Sequence, residues 1–186
     1  MLACSLRNGY GSYKEVVVLG DGATCIRNVV MELFPEAQQI LDYVHLCENV
    51  NTYAKYLFKN DEKQYIPWAE NICESLKLSK YDDVLEELKE LGDRAPKDCP
   101  VNLYGYITNN INNIDYKTYI EKGYFIGSGA IESGHKLVLH QRLKQAGMSW
   151  NVPSAQPVLT LKTKSESALW ESDVVDYFME ADLLAA

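Results

Sequence analysis

The sequence predicts an α/β chain that is mainly helical, and three observations carry that expectation. A β-branched run, Lys14-Glu15-Val16-Val17-Val18-Leu19-Gly20, closes on glycine. A second short apolar run, Ile40-Leu41-Asp42-Tyr43-Val44, follows after an intervening helical pattern. From about residue 45 onward, apolar residues recur at helical rather than strand spacing.

Each element follows from its local chemistry. The first run reads as a strand buried on both faces, as strands of a parallel sheet are. Ile26, Val29, Val30, Leu33 and Phe34 then repeat at helical spacing until Pro35, whose ring cannot continue a helix. Strand, helix and strand over about 30 residues make a βαβ unit, with a right-handed crossover expected. Three amphipathic helices should follow over 45–92, through Leu46, Val50, Tyr53 and Leu57, then Trp68, Ile72 and Leu76, then Val84, Leu85, Leu88 and Leu91. Gly92 is the expected stop. Two prolines make 93–100 a connector, and a helix over 101–112 leads into an asparagine-rich turn. The loop Gly123-Tyr124-Phe125-Ile126-Gly127-Ser128 feeds a helix over 129–145, with Gly147 as its left-handed cap. Helices over 153–163 and 165–180 complete the reading.

Composition sets the class. At 47% hydrophobic and 11% aromatic, the 186 residues can bury a core, which excludes wholesale disorder. No apolar run approaches the roughly 18–20 residues that cross a bilayer. Met1-Leu2-Ala3-Cys4-Ser5-Leu6-Arg7 lacks the pattern of a signal peptide, so a soluble cytoplasmic chain is expected. The formal charge of −8, from 18 Lys and Arg against 26 Asp and Glu, argues against a generic polyanion-binding surface. Cys4, Cys25, Cys47, Cys73 and Cys99 are widely spaced and odd in number, which suggests reduced, mostly buried thiols rather than disulfides or zinc.

Few residues carry candidate chemistry. Asp21 falls at the C-terminal end of the first strand, where open α/β sheets bind ligands, and glycines flank it. It is either a ligand-facing carboxylate or a cap for the next helix. Glu132 falls in the first turn of the helix entered through Gly127-Ser128-Gly129, as a site carboxylate or as a partner of the helix dipole. Lys136, Arg142 and Lys144 follow on that helix, as a phosphate-tracking surface or as a solvated face. His45 and Glu48 read as a structural pair. Gly129 and Gly134 imitate the start of a P-loop, but His135 stands where the phosphate-binding lysine must be.

Several blocks together resemble a known family. Leu19-Gly20-Asp21-Gly22-Ala23, Phe34-Pro35-x-Ala37, Ile40-x-Asp42 and His45-x-x-Glu48 resemble the catalytic core of DDE transposases of bacterial insertion sequences, of the ISKra type. Gly123-x-x-Ile126-Gly127-Ser128-Gly129-Ala130-Ile131-Glu132-Ser133 and Gln141-Arg142-Leu143-Lys144-Gln145-Ala146-Gly147-Met148-x-Trp150 resemble that family's closing motif. Ala155-Gln156, Leu159-x-Leu161 and Ser167-x-x-Trp170 fall in order, so the resemblance spans about residues 14 to 170.

The resemblance implies the C-terminal part of an RNase H-like fold with a helical insertion. Residues 1–44 would be a partial βαβ core, 45–122 the insertion, and 123–186 the catalytic-Glu helix with the C-terminal helices. Strands four and five of the fold would be 14–20 and 38–44. It further implies DNA transposon ends as partner and two Mg²⁺ ions held by three carboxylates, for in-line displacement at a phosphodiester. Asp21 matches the family's second Asp and Glu132 its Glu, both as metal ligands. Lys136, Arg142 and Lys144 would contact DNA.

The departures from the family matter as much. No acid precedes Lys14, so the family's first Asp has no counterpart, and Val44 replaces an aromatic residue. Two carboxylates position octahedral Mg²⁺ poorly. The first strand would also expose an unpaired edge. The expectation is a truncated transposase, catalytically inactive and marginally folded alone, which works with an upstream fragment or full-length transposase. The alternative is a non-catalytic DNA-binding or transposase-pairing module.

Overall fold

A computed structural model of the chain describes residues 2–7, 9–167, 170, 174 and 175. It is mainly helical with one small sheet, and it divides into two compact units, Met1–Ser128 and Gly129–Ala186. The first unit runs α1 (Leu2–Arg7), β1 (Val17–Gly20), α2 (Thr24–Leu33), β2 (Gln38–Leu41), α3 (Tyr43–Leu57), α4 (Glu62–Lys77), α5 (Tyr81–Glu90), α6 (Leu103–Asn109) and α7 (Tyr116–Glu121). Short 3₁₀ turns at Gly92–Arg94 and Ile111–Asn113 flank α6. Among the described residues no helix is long and apolar enough to cross a membrane.

β1 and β2 pair in parallel, with Val17 opposite Gln38 and Gly20 opposite Leu41. Both strands differ from the sequence expectation. β1 begins at Val17 rather than Lys14, and its four residues are half-buried, because a two-stranded sheet leaves it only one strand neighbour. β2 is displaced toward the N-terminus. Gln38 and Gln39 join the ladder through their backbones, while Tyr43 and Val44 belong to α3 because Asp42 caps that helix.

The core is a helical one laid against β2. Ile40 and Leu41 meet Leu46 and Val50 of α3, Ile72 and Leu76 of α4, and Leu103 and Ile107 of α6. Each such side chain contributes about 1.5–3 kcal/mol by leaving water. Tyr116 is wholly buried and donates its hydroxyl hydrogen to the Leu41 carbonyl at 3.0 Å. Burial pushes its pKa upward, so it stays a neutral donor. The expected helix over 101–112 is shorter, ending at Asn109, and α7 was not foreseen.

The second unit holds α8 (Gly129–His135), a π-helical turn (Lys136–His140), α9 (Gln141–Leu143) and α10 (Val152–Glu166). α8 through α9 realise the helix expected over 129–145, with a π turn in its middle. Gly147 is left-handed at φ +79°, but it does not cap this helix: the helix ends at Leu143 with Lys144 as its cap, and Gly147 lies in the turn that follows. Asn151 caps α10 by accepting the Ser154 N–H at 2.9 Å. The helix expected over 165–180 lies mostly outside the described residues.

A polar clasp joins α4 to α7. Ser79, at φ +59°, donates its hydroxyl hydrogen to Asp115 Oδ1 at 2.7 Å and accepts the Lys117 N–H at 3.1 Å. Asp115 also accepts the Thr118 N–H, which caps α7. The Ser79 hydroxyl foremost lowers the Asp115 pKa below its usual 3.8, and Thr118 and Lys122 add to it against the opposing effect of burial. A carboxylate depressed in the folded state stabilises above its unfolded pKa and loses that contribution as pH falls through the folded value. Asp115→Asn keeps an Oδ1 acceptor for both bonds and removes only the charge, so it should cost about 0.3–1 kcal/mol at neutral pH. In urea unfolding, the gap from wild type should close as pH drops below about 4.

Candidate active site at the ends of the parallel strands

Because Gly20 opposes Leu41, Asp21 and Asp42 are the first residues beyond the two strand ends. Open α/β sheets place ligands at that edge. The two carboxylates nevertheless have different fates, set by how many N–H groups surround each.

Asp42 is 2% exposed. Its Oδ1 accepts the Val44 N–H at 2.8 Å and the His45 N–H at 3.3 Å, capping α3. Its Oδ2 accepts the Ser128 N–H at 2.9 Å, and the Tyr43 N–H reaches the Ile126 carbonyl at 2.8 Å. The glycine-containing loop over 123–128 is thereby pinned to the end of β2. Asp42 is a structural carboxylate.

Asp21 is exposed. Its Oδ1 accepts the Ala23 N–H at 2.9 Å, a turn within the loop itself. The N-cap of α2 is Ala23, which makes no side-chain cap bond, so Asp21 does not cap that helix. Among the described residues its Oδ2 has no hydrogen-bond partner.

The turn that carries Asp21 is clamped from α6. Tyr106 donates its hydroxyl hydrogen to the Asp21 carbonyl at 2.8 Å. Burial, with a smaller effect of the Asp21 and Asp42 charges, raises the Tyr106 pKa against an opposing hydrogen bond from Asn49. Asn110, 3% exposed, accepts from Arg27 Nη2 at 2.7 Å and donates to the Tyr106 carbonyl at 2.8 Å. Gly22 sits at φ +85°, and a Cβ there would come within 2.8 Å of Leu41 Cδ1 and 3.2 Å of Asn110 Oδ1. A cavity of about 20 Å³ beside it, bounded by Gly20, Gly22, Arg27, Leu41, Asn110 and Asn113, has room for about one water.

Glu132, Lys136, Arg142 and Lys144 all belong to the second unit, and Asp21 to the first. Glu132 is exposed in the first turn of α8. Lys136, Arg142 and Lys144 are exposed, and none forms an ion pair among the described residues. The π turn beginning at Lys136 brings the His135 and His140 rings edge to face, with centroids 6.5 Å apart. Residues five apart are neighbours in a π turn and not in an α-helix.

His45 Nδ1 and Glu48 Oε2 lie 2.9 Å apart on the exposed side of α3, the pair expected of them. Among the described residues no three His, Cys, Asp or Glu side chains come together in a group able to hold a metal ion. These residues do not by themselves fit a two-Mg²⁺ centre, whose hard ions demand a fuller set of oxygen ligands. No protein-family model, curated protein or solved structure matches the chain.

Sequence reasoning missed Tyr106, Asn110 and the capping role of Asp42. Only the last left a usable signal, an aspartate immediately before the helical period Leu46, Val50, Tyr53. Asp42→Asn places an amide donor where both carboxylate oxygens now accept, so a cap bond or the Ser128 bond is lost. The expected cost is about 1–3 kcal/mol. Thermal unfolding should show a midpoint lower by roughly 2–12 °C, and an unchanged midpoint would refute the triple acceptance.

Proposed function

We propose that this chain is the C-terminal part of an RNase H-like catalytic core of a DDE transposase. In this reading it contributes Asp21 and Glu132 as two of the three carboxylates that hold Mg²⁺ for cleavage and transfer of DNA strands at transposon ends. The observation that supports it most is the exposed Asp21 directly past β1 of a parallel β1-α2-β2 unit, with one carboxylate oxygen uncommitted among the described residues. The blocks that resemble the family add to it, because they place an acid in the first turn of a later helix.

The residues of the first unit have definable tasks in such a site. Tyr106 and Asn110 hold the Asp21-Gly22 turn, and the absence of a side chain at Gly22 lets Leu41 and Asn110 close against it. The backbone carrying Asp21 is thus fixed before any ligand arrives, which lowers the ordering cost of binding. Mg²⁺ in the family supplies activation of the attacking oxygen and stabilisation of the leaving one. In this reading the counterpart of the family's first Asp is supplied in trans.

The reading predicts activity only on complementation. With a segment supplying the earlier strands and their Asp added in trans, the chain should cleave transposon-end DNA in Mg²⁺. Asp21→Ala should lower that cleavage on the order of 100-fold or more, the scale set by losing one group that stabilises the transition state. Equal cleavage by the variant would overturn the assignment of Asp21.

A second reading, DNA binding without catalysis, rests on the exposed cations Lys136, Arg142 and Lys144, none of them ion-paired among the described residues. In a gel-shift salt titration, neutralising all three should weaken binding and reduce the slope of log K on log salt by roughly 3. Glu132→Gln should leave that slope unchanged. A slope indifferent to the three cations rejects the surface.

A further inference from the structure

α3 and α4 pack together through their apolar faces, and each places a cysteine in that seam. Cys47 of α3 is half-buried and Cys73 of α4 is 8% exposed. The Tyr43 hydroxyl, one turn before Cys47 on α3, donates its hydrogen to the Cys73 carbonyl at 3.1 Å, which sets the face of α3 that carries Cys47 against Cys73 of α4. The Cys47 and Cys73 thiols lie close enough to perturb one another's acidity. Cys25 and Cys99 also carry free thiols, with no such partner among the described cysteines.

We propose that Cys47 and Cys73 are a peroxide-responsive dithiol, in which Cys47 is the attacking sulfur, Cys73 the resolving one, and the product a disulfide between α3 and α4. The roles follow from the surroundings. Cys47 is the more exposed of the two, so an oxidant in solution reaches it first. The neighbouring Cys73 thiol foremost, with the Tyr43 hydroxyl and the positive charge of Lys77, holds the Cys47 thiol below its ordinary pKa, against burial and the Asp42 charge. The neighbouring Cys47 foremost, with burial and the Glu70 charge, raises Cys73. Thiolate is the nucleophilic form, so the more exposed and more acidic of the two sulfurs attacks first.

The oxidant is a hydroperoxide. The Cys47 thiolate attacks its terminal oxygen, the O–O bond breaks, and the departing alkoxide takes a proton to leave as alcohol, or as water when the oxidant is hydrogen peroxide. Cys47 is now a sulfenic acid. The Cys73 sulfur attacks the Cys47 sulfur, the S–O bond breaks, and the hydroxide leaves with the Cys73 proton as water. Two thiols have lost two hydrogens, and one peroxide has been reduced. This chemistry is independent of the DNA-processing reading, since neither cysteine belongs to that site.

Treating the full chain with hydrogen peroxide, then digesting it without reductant for mass spectrometry, tests the proposal. The expected product is one linked peptide pair joining Cys47 to Cys73, with free thiols falling from five to three per chain. Cys73→Ser should strand Cys47 as a sulfenic acid that dimedone traps, and Cys47→Ser should leave Cys73 unmodified. Should either variant misfold, alkylation of the wild-type chain across pH supplies the second measurement: Cys47 should react at lower pH than Cys73. A chain of unchanged circular dichroism that yields no Cys47–Cys73 link overturns the proposal. So does alkylation of Cys73 ahead of Cys47 as pH rises.

Discussion

The structure of the first unit turns on a single buried carboxylate. Asp42 ends β2, starts α3 and anchors the loop over 123–128, because its two oxygens accept three backbone N–H groups from those segments. Buried N–H groups without partners each cost about 1–3 kcal/mol, and a negative charge at 2% exposure is tolerable only when hydrogen-bonded. The constraint is mutual: the three amides need an acceptor, and the charge needs the three donors. It also marks where strand passes into helix, since the Asp42 N–H donates to the Gly20 carbonyl at 2.7 Å as the last bond of the ladder and its carbonyl accepts the Leu46 N–H at 3.0 Å as the first of α3.

That arrangement makes the strand ends rigid on one side and open on the other. Leu41 joins the two sides: its carbonyl receives the Tyr116 hydroxyl, and its side chain fills the space that a side chain at Gly22 would need. Asp21 stands across the ladder from Asp42 with one oxygen uncommitted among the described residues. Equivalent positions on paired strands thus divide the labour between scaffold and candidate chemistry. The helical region between β2 and the pinned loop is part of this device, because Tyr106 and Asn110 from α6 hold the Asp21 turn.

How far this was legible in the sequence depended on whether side chains or backbone decided each element. α3, α4 and α5 were legible because burial of Leu46, Val50, Ile72, Leu76, Val84 and Leu88 imposes a helical period on residue type. β2 was misplaced because Gln38 and Gln39 enter the ladder through backbone hydrogen bonds, to which glutamine side chains give no clue, while Val44 is an exposed helical residue. α7 escaped notice because its six residues depend on Asp115 and on Ser79, which lies 36 residues earlier. The position of Asp21 past a strand end could be read locally. Its clamp could not, since Tyr106 is 85 residues away in the chain. The cysteine seam was hidden for a similar reason: spacing along the chain says nothing about two helices that meet side by side.

The helix that carries Glu132 shows a limit of a different kind. A pattern read at α-helical spacing assumes a constant rotation per residue, about 100°. Five residues of α-helix turn through about 500° and would leave His135 and His140 roughly 140° apart. Their edge-to-face contact instead requires the π turn over Lys136–His140. Such turns insert about one extra residue into a helix and gather at functional sites. Every residue beyond Lys136, Arg142 and Lys144 included, is therefore rotated away from the face that extrapolation from Glu132 assigns. Lys136 stays one ordinary turn after Glu132, whereas the other two cations occupy a surface that the π turn defines. Any phosphate-tracking role of this helix is thus a property of its irregularity, and no periodicity in the residue types announces it.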